Sequence, residues 1–139
     1  MKKLVLSLAV VLTSILGFAQ DEAGTTITLN IENANSDDGK FLISLHTEDN
    51  FMKGPGIDNK ASKVVDGKGS VTFENVKPGE YAIMVLHDEN DNQRMDFEEN
   101  GMPKESYGMS NNPRSFGPPI YADAKFEVGK EDMEMNIRF

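Results

Sequence analysis

Residues 81–87 read Tyr-Ala-Ile-Met-Val-Leu-His. In an extended chain Tyr81, Ile83 and Val85 fall on one side and Ala82, Met84 and Leu86 on the other. Side chains alternate across a strand, so a segment apolar on both sides is covered on both faces and belongs in the middle of a sheet. The run is too short for an ordinary helix and suits a strand.

The segments on either side are simpler. Residues 25–31 alternate, with Ile27, Leu29 and Ile31 on one face. Lys40–His46 repeats the pattern with Phe41, Ile43 and Leu45, after a turn at Asn35-Ser36-Asp37-Asp38-Gly39. Residues 47–61 read as a polar loop around Gly54-Pro55-Gly56, with Phe51 and Met52 as anchors. Asp66-Gly67-Lys68-Gly69 between Val64-Val65 and Val71 to Phe73 is a hairpin signal. Further on, Ala122, Ala124, Phe126 and Val128 alternate with polar residues, and Met133, Met135, Ile137 and Phe139 form a last strand. About seven strands at short spacing, with no amphipathic helix, predict an all-β chain. The expected form is an antiparallel β-sandwich with immunoglobulin-like or transthyretin-like layering and one long ordered loop.

That loop is residues 88–119, DENDNQRMDFEENGMPKESYGMSNNPRSFGPP. Connections beyond about 12–15 residues are functional or disordered. Met95, Phe97, Met102, Tyr107, Met109, Phe116 and Ile120 punctuate this one as apolar anchors and predict order. Its first part fits the twelve-position template of a calcium loop. Asp88, Asn90, Asn92, Asp96 and Glu99 stand at the first, third, fifth, ninth and twelfth positions, and the backbone carbonyl of Arg94 at the seventh. Calcium takes six to eight oxygens, and alternate residues of a tight curl point inward together. The sixth position, where the chain turns sharply and glycine is usual, holds Gln93. The same residues also suit Asx-turns, in which Asp and Asn cap backbone groups without metal. Calcium is the one cofactor expected, and both readings stand on the sequence.

Residues 1–19 read as a secretory signal peptide. Lys2 and Lys3 precede an apolar run from Leu4 to Leu16, and Gly17-Phe18-Ala19 supplies small residues at a cleavage site. The run is too short to span a bilayer, which takes about 20 residues. Residues 20–139 then form a single domain. The chain has 14 basic and 23 acidic side chains, and the leader holds two of the basic ones. So acidic a chain does not attract nucleic acid or anionic lipid by its overall field. The absence of cysteine excludes a disulfide framework, a thiol nucleophile and a lipoprotein attachment site. The expected location is the periplasm or the medium, with no transmembrane segment after cleavage and a protein or glycan partner at the cell envelope.

The motifs Gly79-Glu80-Tyr81, His87-Asp88-Glu89-Asn90, Gly101-Met102-Pro103-Lys104-Glu105, Tyr107-Gly108-Met109-Ser110-Asn111-Asn112 and Phe116-Gly117-Pro118-Pro119 occur in order. Together they resemble a family of secreted bacterial proteins catalogued as domain of unknown function 2141, over residues 25–139. Where the family pattern looks like Asn-Gly-Asn-Gly, this chain has Asp91-Asn92-Gln93. The resemblance implies export and architecture in a Gram-negative bacterium and supplies no catalytic residues. The end of the leader is similar to those in Bacteroidetes.

The functional expectation is therefore an exported, non-catalytic binding or accessory module stabilised by calcium. Two alternatives stay open. One is a small periplasmic metalloenzyme or hydrolase using His46, His87 and nearby carboxylates, which requires the two histidines to meet. Ser106, Ser110 and Ser115 read as turn-capping residues. The other is a carrier of a small apolar ligand, which requires a cavity between the sheets.

Overall fold

A computed structural model describes residues 23–139, so the leader read at residues 1–19 lies outside the described residues. Eight strands and one short helix follow in order. They are β1 (Thr25–Glu32), β2 (Lys40–His46), β3 (Asp58–Lys63), β4 (Gly69–Val76), β5 (Gly79–Asp88), β6 (Tyr107–Met109), α1 (Tyr121–Ala124), β7 (Phe126–Val128) and β8 (Met133–Arg138). They build two sheets, one in the order β4-β1-β8 and one in the order β3-β2-β5-β6. Strand β7 continues beside β5 beyond β6, pairing Gly79 with Val128. The expected all-β sandwich is present, and β5 takes its central place.

The alternating residues named from sequence meet between the sheets. Ile27, Leu29 and Ile31 of β1 face Phe41, Ile43 and Leu45 of β2 and Ile83 and Val85 of β5, with Phe73 and Ile137 closing the core. Each such side chain, once buried, contributes roughly 1.5–3 kcal/mol of transfer free energy. The outer face of β5 is also covered. Phe51, Ala82, Met109 and Ala124 form a second, smaller cluster there, with Met84, Tyr107 and Tyr121 packed against it. Two apolar faces on one strand thus correspond to two separate cores.

Five elements differ from the sequence reading, the first being β6, a three-residue strand inside the segment expected as the long loop. Residues 58–61, expected within a polar loop, belong instead to the edge strand β3, which pairs with β2. Asp-Asn-Lys-Ala-Ser-Lys has no apolar alternation, because an edge strand at the rim of a sandwich buries only its side-chain stems. The Lys60 ammonium lies 5.9 Å from the Phe73 ring centroid, so its stem lines the rim. The turn at Asp66 (φ 53) and Gly67 (φ 70) is tight as expected. It carries the chain from one sheet to the other, however, since β3 pairs with β2 and β4 with β1. The run expected as one strand through Ala122 divides into α1 and β7. Finally, β8 runs parallel to β1, from Ile27 opposite Met133 to Glu32 opposite Arg138.

Of the residues expected to anchor the long loop, Met109 is buried and Met95 and Tyr107 are half-buried. Phe97, Met102, Phe116 and Ile120 point to solvent, Phe116 completely. The loop is held by its polar residues instead. Gly39 shows how closely it approaches the sheet: a Cβ there would lie 1.8 Å from the Asp88 carbonyl oxygen, and its φ is +66°. Gly101 also has a positive φ, +83°, but open space around it. Gly101→Ala is expected to cost about 1 kcal/mol, the strain of the left-handed backbone alone. Gly39→Ala should cost severalfold more in urea unfolding. Equal costs would mean that the Asp88 backbone yields freely.

Candidate functional site

The loop starts where β5 ends. Asp88 is fully buried and its two oxygens receive different backbone donors, Asn92 N–H at 3.1 Å on Oδ1 and Gln93 N–H at 2.8 Å on Oδ2. Asn90 Oδ1 also accepts from Asn92 N–H (3.2 Å), and Asn92 Oδ1 from Arg94 N–H (3.1 Å), so both residues make Asx-turns. Their Nδ2 groups donate together to Asp96 Oδ2, at 2.6 and 2.7 Å. These bonds, from Asn90 first, hold the Asp96 carboxyl below the usual carboxylate range. Gln93 adopts φ 65°, so the sharp turn falls at the sixth template position without glycine. Four of the residues picked from sequence, Asp88, Asn90, Asn92 and Asp96, are brought together in this curl. Arg94 turns its side chain back to Asp96, Nε to Oδ1 3.7 Å.

Glu99 is placed differently. It sits exposed in the turn of a small hairpin over residues 96–104, closed by Glu98 N–H to Met102 O (2.7 Å) and Lys104 N–H to Asp96 O (2.8 Å). The carboxylate that reaches the curl is Glu105. It is buried, and its two oxygens accept from Glu89 N–H (3.1 Å) and Asp96 N–H (3.2 Å), tying both ends of the curl to one side chain. Nothing in the spacing marks Glu105, because its partners are backbone groups far from it in sequence. Among the described residues, no three His, Asp or Glu side chains gather as metal ligands. The bonding inside the curl is the Asx-turn pattern, with amide nitrogens rather than oxygens facing Asp96.

The two histidines do not meet. In the antiparallel β2–β5 pair His87 lies opposite Phe41 and His46 opposite Ala82. Those rungs are five residue steps apart, about 17 Å at ~3.3 Å per step. His87 Nε2 bonds the Asp38 carbonyl (2.9 Å), while Nδ1 has no hydrogen-bond partner and lies 3.7 Å from Glu89 Oε1. His46 Nε2 bonds Ser44 Oγ (2.8 Å) and its ring meets Phe51 edge-on. This topology removes the shared metal centre on which the His46/His87 alternative depended. The carrier alternative needed space between the sheets, where the core side chains instead touch one another.

The remaining loop builds a second feature. Ser110 is fully buried; its N–H donates to Ile83 O (3.0 Å), and its Oγ accepts from Ile83 N–H (3.0 Å) and donates to Ala124 O. Asn111 and Asn112 follow at φ 67° and 46°, and their carboxamides diverge. Asn111 Nδ2 holds Asp123 O and Lys125 O at 3.1 and 2.8 Å. Asn112 Nδ2 donates to Asn136 O (2.9 Å) and its Oδ1 accepts from Arg138 N–H (2.8 Å). Consecutive left-handed residues thus clamp α1 on one side and β8 on the other. Gly108 allows the close pass: a Cβ there would stand 2.7 Å from Ile137 Cγ2. Between β6 and β8 this leaves an open groove of about 830 Å³. Arg114, Arg138, Asn33, Asn136, Ser115 and Phe139 contribute to its walls, and no acidic residue does.

The profile of a family described as "Uncharacterized protein conserved in bacteria (DUF2141)" matches residues 29–136. The chain belongs to this family. The matched span takes in the curl and the segment 107–115 that walls the groove. No curated protein and no solved structure matches the chain. Among the described residues of this family member, no helix is long and apolar enough to cross a membrane.

Two outcomes test this description. Glu105→Ala strands two backbone donors beneath the loop, and each unmade buried bond costs about 1–3 kcal/mol. Faster hydrogen exchange at Glu89 and Asp96 is expected, and unchanged exchange would show that Glu105 does not hold the curl. Burial lowers the His46 imidazole below its ordinary value of about 6.5. The folded state then binds fewer protons than the unfolded chain, so this contribution to stability is full above that value and declines as pH falls. Melting curves should drop between neutral and mildly acidic pH and flatten in His46→Gln. An NMR midpoint for His46 above the ordinary value would refute the assignment.

Proposed function

We propose that this family member is an exported, non-catalytic binding module of the bacterial cell envelope, and that its ligand lies in the groove between β6 and β8. The observation that carries the reading is the construction of that groove. Ser110, Asn111 and Asn112 spend their polar groups on fixing its wall to β5, α1 and β8. The lining offers guanidinium, carboxamide and hydroxyl groups, which orient a ligand. The charged side chains of that lining are two arginines, Arg114 and Arg138, which suit holding an anionic group. Export rests on the leader pattern of residues 1–19.

The test is a photo-crosslinking residue at Ser115, in the groove, against one at Lys60, on the opposite edge of the sandwich. In the native cell envelope the first should give a discrete adduct and the second none. Matching results from both positions would defeat the reading.

Calcium binding in the curl is part of the same proposal. It is supported by the position of the sharp turn at Gln93 and by the convergence of Asn90, Asn92 and Asp96 around one point. Bringing oxygens inward requires both carboxamides to turn over. Millimolar calcium is expected to raise the melting temperature, as extracellular sites of about 10⁻⁴–10⁻³ M affinity do. Asp96→Ala should remove the shift. A melting temperature indifferent to calcium discards the ion and leaves the groove reading in place.

A further inference from the structure

Resting on the groove reading, we infer that the occupant is an extended peptide segment bearing carboxylates, laid along the outer edge of β8. Strand β8 ends its sheet and pairs with β1 alone. Successive residues of a strand send their amide groups to opposite edges. Asn136 O and Arg138 N–H both turn outward, to Asn112, so the backbone groups of Glu134 share that edge. The Asn112 carboxamide occupies the place of a peptide group in a neighbouring strand, giving one hydrogen bond and receiving one. It displays the geometry in which an amide docks here. The next outward groups toward Met133 are the N–H of Asn136 and both groups of Glu134, and no strand of the described residues covers them.

A main chain completes such a ladder because it repeats donor and acceptor at the same period, as in strand addition to a sheet edge. Met133 and Met135, half-buried on the core face of β8, offer apolar contact to alternate side chains of the incoming strand. A sugar would call for an open aromatic face. Phe139, however, is stacked on Phe41 with centroids 5.5 Å apart, and Tyr107 packs into the outer cluster.

The charge of the ligand follows from the lining. The chain has a formal net charge of −9, yet the groove carries Arg114 and Arg138 and no carboxylate side chain. Arg138 meets Glu32 through Nε at 3.4 Å with its side chain still 62% exposed, so the guanidinium retains donors for a second carboxylate. Acidic side chains at the Arg138 end, alternating with apolar ones, match both features of the edge, while the exposed Glu134 carboxylate at the other end accepts from Asn30 Nδ2 at 2.7 Å.

The experiment is an NMR titration of the ¹⁵N-labelled protein with three probes: a blocked hexapeptide alternating valine and glutamate, its valine–lysine counterpart, and oligogalacturonate. The glutamate peptide should move the amide signals of Glu134 and Asn136. Affinity should fall about tenfold or more with the lysine peptide and in the Arg114→Ala, Arg138→Ala double variant. Equal binding of the two peptides overturns the charge assignment. Groove shifts from oligogalacturonate without peptide binding overturn the peptide assignment and keep the groove. Silence of the groove amides with every probe overturns the inference, while the groove reading itself falls only if the Ser115 crosslink also fails.

Discussion

The constraint on which this structure depends is that β5 is satisfied in four directions. One edge pairs with β2, the other with β6 and then β7, and each face has its own cluster of apolar side chains. From Tyr81 onward such a strand has every side chain buried or half-buried, so few of them vary without disturbing one of two cores. It also fixes where the chain can do anything else. The curl begins at its last residue, Asp88, and the groove wall is bonded to its middle through Ser110 and Ile83. Both candidate regions are therefore anchored to the strand that pairs with three others.

What the sequence reveals here follows the physics of burial. Strands β1, β2, β5 and β8 are legible because each places large apolar residues at every second position. β3 is not, since its side chains meet solvent at a sheet edge and its pairing is all backbone. The three-residue strands β6 and β7 are too short to show a period, and their existence depends on β5 offering an open edge. The same division holds within the loop. Asp88, Asn90, Asn92 and Asp96 act on neighbours a few residues away, so their spacing is informative. Glu105, Ser110, Asn111 and Asn112 act on distant backbone, and only the folded chain shows what they touch.

The loop owes its order to carboxamides and buried oxygens more than to apolar anchors. Phe97, Met102, Phe116 and Ile120, the residues that looked most able to pin it, face solvent. Asn at 90, 92, 111 and 112 instead supplies a donor and an acceptor on a short side chain. The last two also tolerate the left-handed conformation that their positions demand. That combination explains how so long a connection stays compact on a small sandwich with few apolar residues to spare.

The parallel register of β1 and β8 has a temporal side. The first strand of the domain is bounded by the last, so the three-stranded sheet closes only when both ends of the chain are present. Contacts of such long sequence separation are slow to form, because a loop of nearly the whole domain must be closed first. A polypeptide delivered N-terminus first through a narrow passage would hold β1 half-paired until β8 emerged. Until then one edge of β1 stays open to pairing with any other extended segment.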